Sequence, residues 1–67
     1  MEVQDVVEIV RVERQNKGFS QYALAKKSGV SREFIANLER GVYVPKLNTL
    51  IKLLKALDLE VVIKCKF

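Results

Sequence analysis

The sequence predicts a small, mainly α-helical domain of four helices, followed by a C-terminal β-strand. Apolar residues recur at helical spacing through most of the 67-residue chain, and Ser and Gly residues stand where helices would begin and end. From Glu60 to Phe67 the apolar period changes to two, which is typical of a half-buried strand. A chain of this length buries roughly 60% of its surface on folding, so it has room for one modest core.

Capping residues and apolar stripes divide the first part of the chain into four helical segments. Ser20 and Ser31 are strong N-cap residues, and Gly18 and Gly41 are natural C-terminal stops. Valine residues in the first segment leave a strand as the alternative there. The fourth segment is apolar around much of its circumference, so it must be covered on more than one side. The expected helices span residues 4–17, 21–27, 32–40 and 47–57.

The C-terminal strand has no obvious partner strand within the chain. An unpaired strand leaves its amides and carbonyls without hydrogen bonds, and the same strand of a second copy, paired antiparallel about a two-fold axis, would satisfy them. Alternatively, the strand pairs with residues 1–5 of the same chain, or it frays. We therefore expect a helical domain over residues 1–59 and a dimerisation strand over residues 60–67. The residues expected at the dimer interface are Val61, Ile63, Cys65 and Phe67.

Charge is distributed unevenly along the chain. The formal net charge is +4, but residues 11–55 alone carry 10 Lys and Arg against 3 Asp and Glu. Residues 1–10 are acidic, with a balance of −3, and residues 56–67 are neutral overall. A basic central stretch favours nucleic acid as the partner class, although many unrelated small domains are equally basic.

Several residue types needed for other functions are absent. The chain has no His and a single Cys, Cys65. We therefore expect no internal disulfide, no zinc site and no activated nucleophile. It contains no glycine-rich nucleotide-binding motif. We therefore expect no enzyme activity, no cofactor and no metal. No apolar run approaches the ~20 residues of a membrane span, which predicts a cytoplasmic protein without membrane contact.

The stretch from Ser20 to Glu39 has the spacing of a helix-turn-helix. Gly29 stands where the turn between the two helices needs a positive φ, and Val30 is expected to fill the corner. Ile35 and Leu38 would face the core, which leaves the opposite face of the third helix free. That free face carries Arg32, Glu33, Ala36 and Asn37.

A wider set of residues then resembles the phage repressor/Cro-type (XRE) helix-turn-helix family. The similarity runs from Arg14 to Leu57, about two-thirds of the chain, and Asp58 replaces the glycine usual after the fourth helix. The resemblance implies a lambda-repressor-like bundle whose third helix lies in the DNA major groove. The matching residues are Arg14, Gly18-Phe19-Ser20-Gln21, Leu24-Ala25, Ser28-Gly29-Val30-Ser31, Ile35, Leu38-Glu39-Arg40-Gly41, Pro45, Leu50 and Ala56-Leu57.

The same resemblance implies roles for individual residues. Base edges would be contacted by Arg32, Glu33 and Asn37, whose side chains suit guanine, cytosine and adenine respectively. An ion pair between Arg14 and Glu39 would join the first helix to the third. There are two alternatives to these roles. The polar face of the third helix could be an ordinary solvated face, and Tyr43 could pack against the core instead of contacting phosphate. Phosphate contacts are expected from Ser20, Gln21, Ser31, Tyr43 and Lys46.

The C-terminal strand narrows the resemblance further. A compact chain with such a strand is similar to antitoxins of the HipB type, which implies a homodimeric repressor that binds a palindromic DNA operator and a toxin protein. A stand-alone phage-like repressor and a restriction-modification controller protein share the same core and are the alternatives. A protein-interaction module that has lost DNA binding is the alternative of another class.

Overall fold

Four α-helices make up most of the computed structural model, which describes residues 3–60 and residue 62. They are α1 (Val3–Asn16), α2 (Gln21–Ser28), α3 (Arg32–Glu39) and α4 (Leu47–Ala56). The predicted four-helix architecture is confirmed, and the observed helix ends lie within about one residue of the expected ones. The alternative of a strand in place of the first helix is wrong. Among the described residues, no helix has the length and apolar character needed to span a membrane.

The boundaries of α2 and α3 are set by local hydrogen bonds. The Ser20 hydroxyl accepts from the Ala23 amide at 3.0 Å, and the Ser31 hydroxyl accepts from the Phe34 amide at 3.2 Å. Each bond satisfies one of the amides that a helix start leaves unpaired. Between the two helices Gly29 adopts φ 78°, and its amide donates to the Ala25 carbonyl at 2.9 Å. The turn therefore forms at the glycine that the sequence indicated.

The core lies where the four helices converge. α3 packs against α1 and α2, and α4 packs against α2. Val30 is buried in the corner between α2 and α3, with 9% of its surface exposed. Dispersion and apolar burial at this core supply most of the stability of so small a domain. The side chains with no exposed surface are Val10, Leu24, Ile35, Leu38, Leu53 and Leu57.

One face of α4 is left uncovered by the other described helices. Leu53 and Leu57 are fully buried, whereas Leu47 is 62% exposed. The uncovered face borders an apolar groove of about 410 Å³ between α1 and α4. The groove is lined by Val6, Ile9, Leu47, Leu50, Ile51, Leu54, Leu59, Glu60 and Val62. The sequence predicted that α4 must be covered on more than one side. The described residues cover it on one side only.

The predicted C-terminal strand falls mostly outside the described residues. Glu60 and Val62 are described, and neither belongs to a helix or strand. The expected interface residues Val61, Ile63, Cys65 and Phe67 lie outside the described part of the chain, so strand and pairing stay predictions. The alternative partner, residues 1–5, is wrong for residues 3–5, because these belong to α1.

The end of α4 replaces a glycine by Asp58. Asp58 has φ 60°, and its amide donates to the Lys55 carbonyl at 3.0 Å while the Leu59 amide donates to the Leu54 carbonyl at 2.8 Å. These two bonds form a Schellman motif, whose left-handed position glycine occupies most readily. Asp tolerates that conformation better than most residues. The helix thus ends normally, at a modest conformational cost.

We expect Asp58→Gly to stabilise the domain by about 0.5 kcal/mol, because glycine removes the Cβ strain of a left-handed residue. For a domain of this size that is a rise of about 2–4 °C in melting temperature. Asp58→Val should lower the melting temperature, because valine is β-branched and β-branched residues are least suited to a positive φ. Thermal unfolding at a fixed protein concentration measures both. A lower melting temperature for Asp58→Gly would instead mean that the Asp58 side chain stabilises the helix end.

Candidate nucleic-acid interface

The outward face of α3 carries the polar residues singled out from the sequence. Ile35 and Leu38 are fully buried, so the helix has one fixed orientation in the bundle. Arg32 and Glu33 are exposed in its first turn, and Asn37 lies one turn further along, half-buried. Within the described part of the chain, the Arg32 and Glu33 side chains make no hydrogen bond or ion pair. Both charged groups can therefore contact a ligand without breaking an internal bond.

A bidentate ion pair fixes α3 to α1. Arg14 Nε donates to Glu39 Oε2 at 2.8 Å, and Arg14 Nη2 donates to Glu39 Oε1 at 2.9 Å. The third guanidinium nitrogen, Nη1, donates to the Phe19 carbonyl at 2.8 Å, so the same side chain also holds the α1–α2 loop. The side chains are 12% and 6% exposed for Arg14 and Glu39, and water screens such a pair only weakly. The parallel, forked geometry adds orientation to the charge attraction.

Gln21 extends this network to the start of α2. Its Nε2 donates to Glu39 Oε1 at 3.3 Å, which links the N-terminal end of α2 to the C-terminal end of α3. An amide nitrogen has two hydrogens, so one donor remains for an external acceptor such as a phosphate oxygen. The geometry is compatible with both roles implied by the family resemblance, which are support of α3 and phosphate contact.

Ser20 and Ser31 are exposed at the starts of α2 and α3. Their hydroxyl oxygens are used as capping acceptors, while each hydroxyl hydrogen and the remaining first-turn amides of each helix are available as donors. The positive end of a helix dipole adds to each cluster of donors. Both helix starts could therefore receive an anion without giving up their capping bonds, and the phosphate contacts of Ser20 and Ser31 stay predictions.

The segment between α3 and α4 holds an aromatic pair. Phe34 and Tyr43 pack edge to face, with ring centroids 4.1 Å apart and planes at 72°. Both rings are half-buried against the core. Tyr43 therefore has the packing role that was its alternative, and its phosphate contact stays a prediction. Lys46 is exposed at the N-cap position of α4, where no side chain caps the helix, and its ammonium group extends the positive charge beyond α3.

Two contacts of the site are absent from the sequence prediction. One is the pairing of Phe34 with Tyr43, for which the only signal is two aromatics on either side of a turn. The other is a hydrogen bond on α3, in which Arg40 Nη2 donates to Asn37 Oδ1 at 3.0 Å. Spacing of three residues on a helix is the signal that could have suggested it.

We expect Glu39→Ala to destabilise the domain and Arg40→Ala to leave its stability nearly unchanged. Without Glu39, the Arg14 guanidinium is a largely buried charge without its carboxylate partner. In comparable buried pairs this lowers the free energy of unfolding by about 3 kcal/mol. Arg40 is exposed, so its truncation should change the free energy of unfolding by less than about 0.5 kcal/mol. Urea unfolding at fixed protein concentration compares the two variants. Equal stabilities would contradict a structural role for the ion pair.

The fold agrees with comparisons to known proteins. The chain matches the helix-turn-helix family over residues 10–63. It is 34% identical over 61 residues to the uncharacterized HTH-type transcriptional regulator y4dL of Sinorhizobium fredii, covering 91% of this chain and 31% of that protein. It is 40% identical over 53 residues to the HTH-type transcriptional regulator SlrR of Bacillus subtilis, covering 78% and 35% respectively.

A third relative is closer to this chain in length. The uncharacterized HTH-type transcriptional regulator YgzD of Bacillus subtilis is 38% identical over 47 residues, which are 70% of this chain and 71% of that protein. The chain spans about a third of the length of the first two relatives. The helix-turn-helix match extends well beyond half of the chain and includes all of α2, α3 and α4. The protein therefore belongs to the XRE-type helix-turn-helix family, as its residues from Arg14 to Leu57 predicted.

Proposed function

We propose that this protein is a transcriptional regulator that binds double-stranded DNA through α3. The observation that carries the proposal is an exposed polar face on a helix whose orientation is fixed by a buried ion pair. Arg32, Glu33 and Asn37 would contact base edges in the major groove, because they offer a guanidinium, a carboxylate and an amide along that face. The three relatives described above are named HTH-type transcriptional regulators, which is the same functional class.

Contacts to the DNA backbone would position α3 in the groove. Lys46 supplies a full positive charge, and the starts of α2 and α3 supply backbone amides and hydroxyls. Gln21 would bridge a phosphate and Glu39, so that backbone contact and helix support are joined in one side chain. These contacts carry no sequence information, but they set the register in which the base contacts are made.

The protein would act as a homodimer on a palindromic operator. One recognition helix reads only a few base pairs, whereas two related by a two-fold axis are spaced by one DNA turn of about 34 Å. The apolar groove between α1 and α4 supports a second copy, because Ile9, Leu47 and Val62 of its lining are exposed to water. Val62 lines this groove, and the segment that carries the expected interface residues Val61, Ile63, Cys65 and Phe67 includes Val62.

Within this proposal we assign the protein the role of a repressor of the antitoxin type. Its DNA-binding core is common to stand-alone phage-like repressors and to restriction-modification controller proteins, and the three classes differ in their partners. An antitoxin binds a toxin protein in addition to its operator. A domain that has lost DNA binding is the competing class, and the free charged groups of Arg32 and Glu33 favour the DNA-binding class instead.

For DNA binding, we expect selection from random duplexes to yield a palindromic site whose affinity falls steeply as salt rises, since phosphate contacts release counterions. Lys46→Ala should weaken binding to all sequences and reduce the log–log salt slope by about 1 per subunit. Arg32→Ala should cost about 1–3 kcal/mol and relax the preference at one base pair of each half-site. Fluorescence anisotropy across a salt series measures both effects.

Lys55→Ala is the matched control, because Lys55 is an exposed lysine at the opposite end of α4 from Lys46. Its DNA affinity should equal that of the unsubstituted protein. If no duplex binds detectably even at low salt, the DNA-binding proposal fails and the interaction-module alternative takes its place.

For the dimer, we expect Leu47→Glu to lower the dimerisation constant, because it puts a charge into the apolar groove. Folding should tolerate the change, since Leu47 is 62% exposed and an acidic residue suits the first turn of a helix. Removal of residues 60–67 should reduce dimerisation and operator affinity together. Val44→Glu is the control, because Val44 is 70% exposed but does not line the groove. An unchanged sedimentation mass for Leu47→Glu would exclude this face as the interface.

A further inference from the structure

A second basic surface lies toward the C-terminal ends of α2 and α4. It is a groove of about 340 Å³ lined by Lys27, Ser28, Lys52, Lys55 and Ala56, which we call the lysine groove. We infer that the lysine groove binds an acidic segment of a partner protein. The inference goes beyond the proposed DNA binding, and its test does not require that the protein binds DNA.

The positive charge of the lysine groove is not balanced by the described residues. Lys27, Lys52 and Lys55 are exposed, and none forms an ion pair within the described part of the chain. Asp58 lies three residues beyond Lys55 without pairing with it. The Lys27 Nζ lies 5.0 Å from the centroid of the Phe19 ring, a cation–π contact that leaves its charge in place. Ammonium groups from two helices therefore border one groove without a counter-charge.

Two of the three lysines have an ordinary explanation, and the third does not. Lys27 and Lys55 lie in the last turns of α2 and α4, where a positive charge stabilises the negative end of the helix dipole. Lys52 lies in the middle of α4, so the dipole does not account for it. Lys52 and Lys55 are three residues apart, a spacing at which like charges repel, whereas Glu8 and Arg11 of α1 pair at the same spacing. Like charge gathered against this repulsion favours an anionic partner.

The floor of the lysine groove favours a polypeptide over the DNA backbone as that partner. Ser28 and Ala56 are small, so they leave room between the lysine side chains, whose methylene stems add apolar walls. A peptide segment can fill this space with an apolar side chain while its carboxylates meet the ammonium groups at the rim. A duplex presents its phosphates on a broad convex surface and would leave the space between the lysines empty.

The position of the lysine groove separates it from the proposed DNA contacts. Lys55 lies about 14 Å along the axis of α4 from Lys46, at ~1.5 Å per residue. Lys27 is likewise in the last turn of α2, whereas Ser20 and Gln21 stand at its start. A partner protein could therefore occupy the lysine groove while α3 lies on DNA.

The test is selection of random displayed peptides on the full chain, followed by measurement of the affinity of the enriched peptide by fluorescence anisotropy. The enriched peptides should be rich in Asp and Glu. Lys52→Glu should lower the affinity by at least about tenfold, because a carboxylate in the groove repels those of the peptide. Lys52→Arg keeps the charge and should still bind the peptide. Both variants should fold, since Lys52 is exposed and Glu and Arg are good helix formers.

Lys17→Glu is the matched control, because Lys17 is an exposed lysine outside the groove and the change in net charge is the same. Its affinity for the peptide should stay close to that of the unsubstituted protein. An equal loss of affinity in Lys17→Glu would indicate general attraction to a basic protein and overturn the inference. An unchanged affinity in Lys52→Glu, or enrichment of peptides without acidic residues, would also overturn it.

Duplex DNA is the rival partner, because Lys52 also borders a smaller cavity beside Ser31 at the start of α3. If Lys52→Ala lowers the log–log salt slope of duplex binding by about 1 per subunit, Lys52 is a phosphate contact and the inference is overturned. An unchanged slope together with loss of the peptide supports a separate protein-binding surface. If no duplex binds, the proposed function fails, and the peptide measurements alone decide this inference.

Discussion

The rest of the structure depends on the ion pair between Arg14 and Glu39. Three guanidinium nitrogens of one arginine bind α3 and the α1–α2 loop, and Gln21 joins the same carboxylate from the start of α2. No described buried side-chain nitrogen or oxygen is left without a hydrogen bond. A pair of this kind is costly to desolvate, and its value lies in the fixed relative position of three helices rather than in net stability. A helix that reads DNA needs that fixed position.

The recognition unit itself is built from short-range bonds. Two serine caps fix where α2 and α3 begin, and one left-handed glycine fixes where α2 ends; each bond joins residues at most four apart in the chain. Helices of eight residues are unstable alone, so the caps set the boundaries while burial of Leu24, Ile35 and Leu38 stabilises the helices. The spacing of buried residues then leaves the opposite face of α3 to carry function.

The apolar groove is the part of α4 that the other described helices leave uncovered. α4 has more apolar surface than the other described helices cover, and Leu47 lies exposed at the groove. In a dimer this surface would contribute to association, and the same contact would set the distance between two recognition helices. The proposed homodimer would both cover this face of α4 and supply the second recognition helix of a two-fold complex with DNA.

The sequence by itself determined the number, order and limits of the helices, because caps, glycine turns and apolar periods act within a few residues. It also indicated the polar residues of α3, since buried positions fix the free face of a helix. The partners of those side chains were decided by the tertiary structure. The Phe34–Tyr43 contact depends on how the loop after Gly41 folds back, and the orientation of Asn37 depends on one rotamer of Arg40. Spacing places residues on a face, but only the packed chain selects the rotamers and hydrogen bonds that decide what that face can recognise.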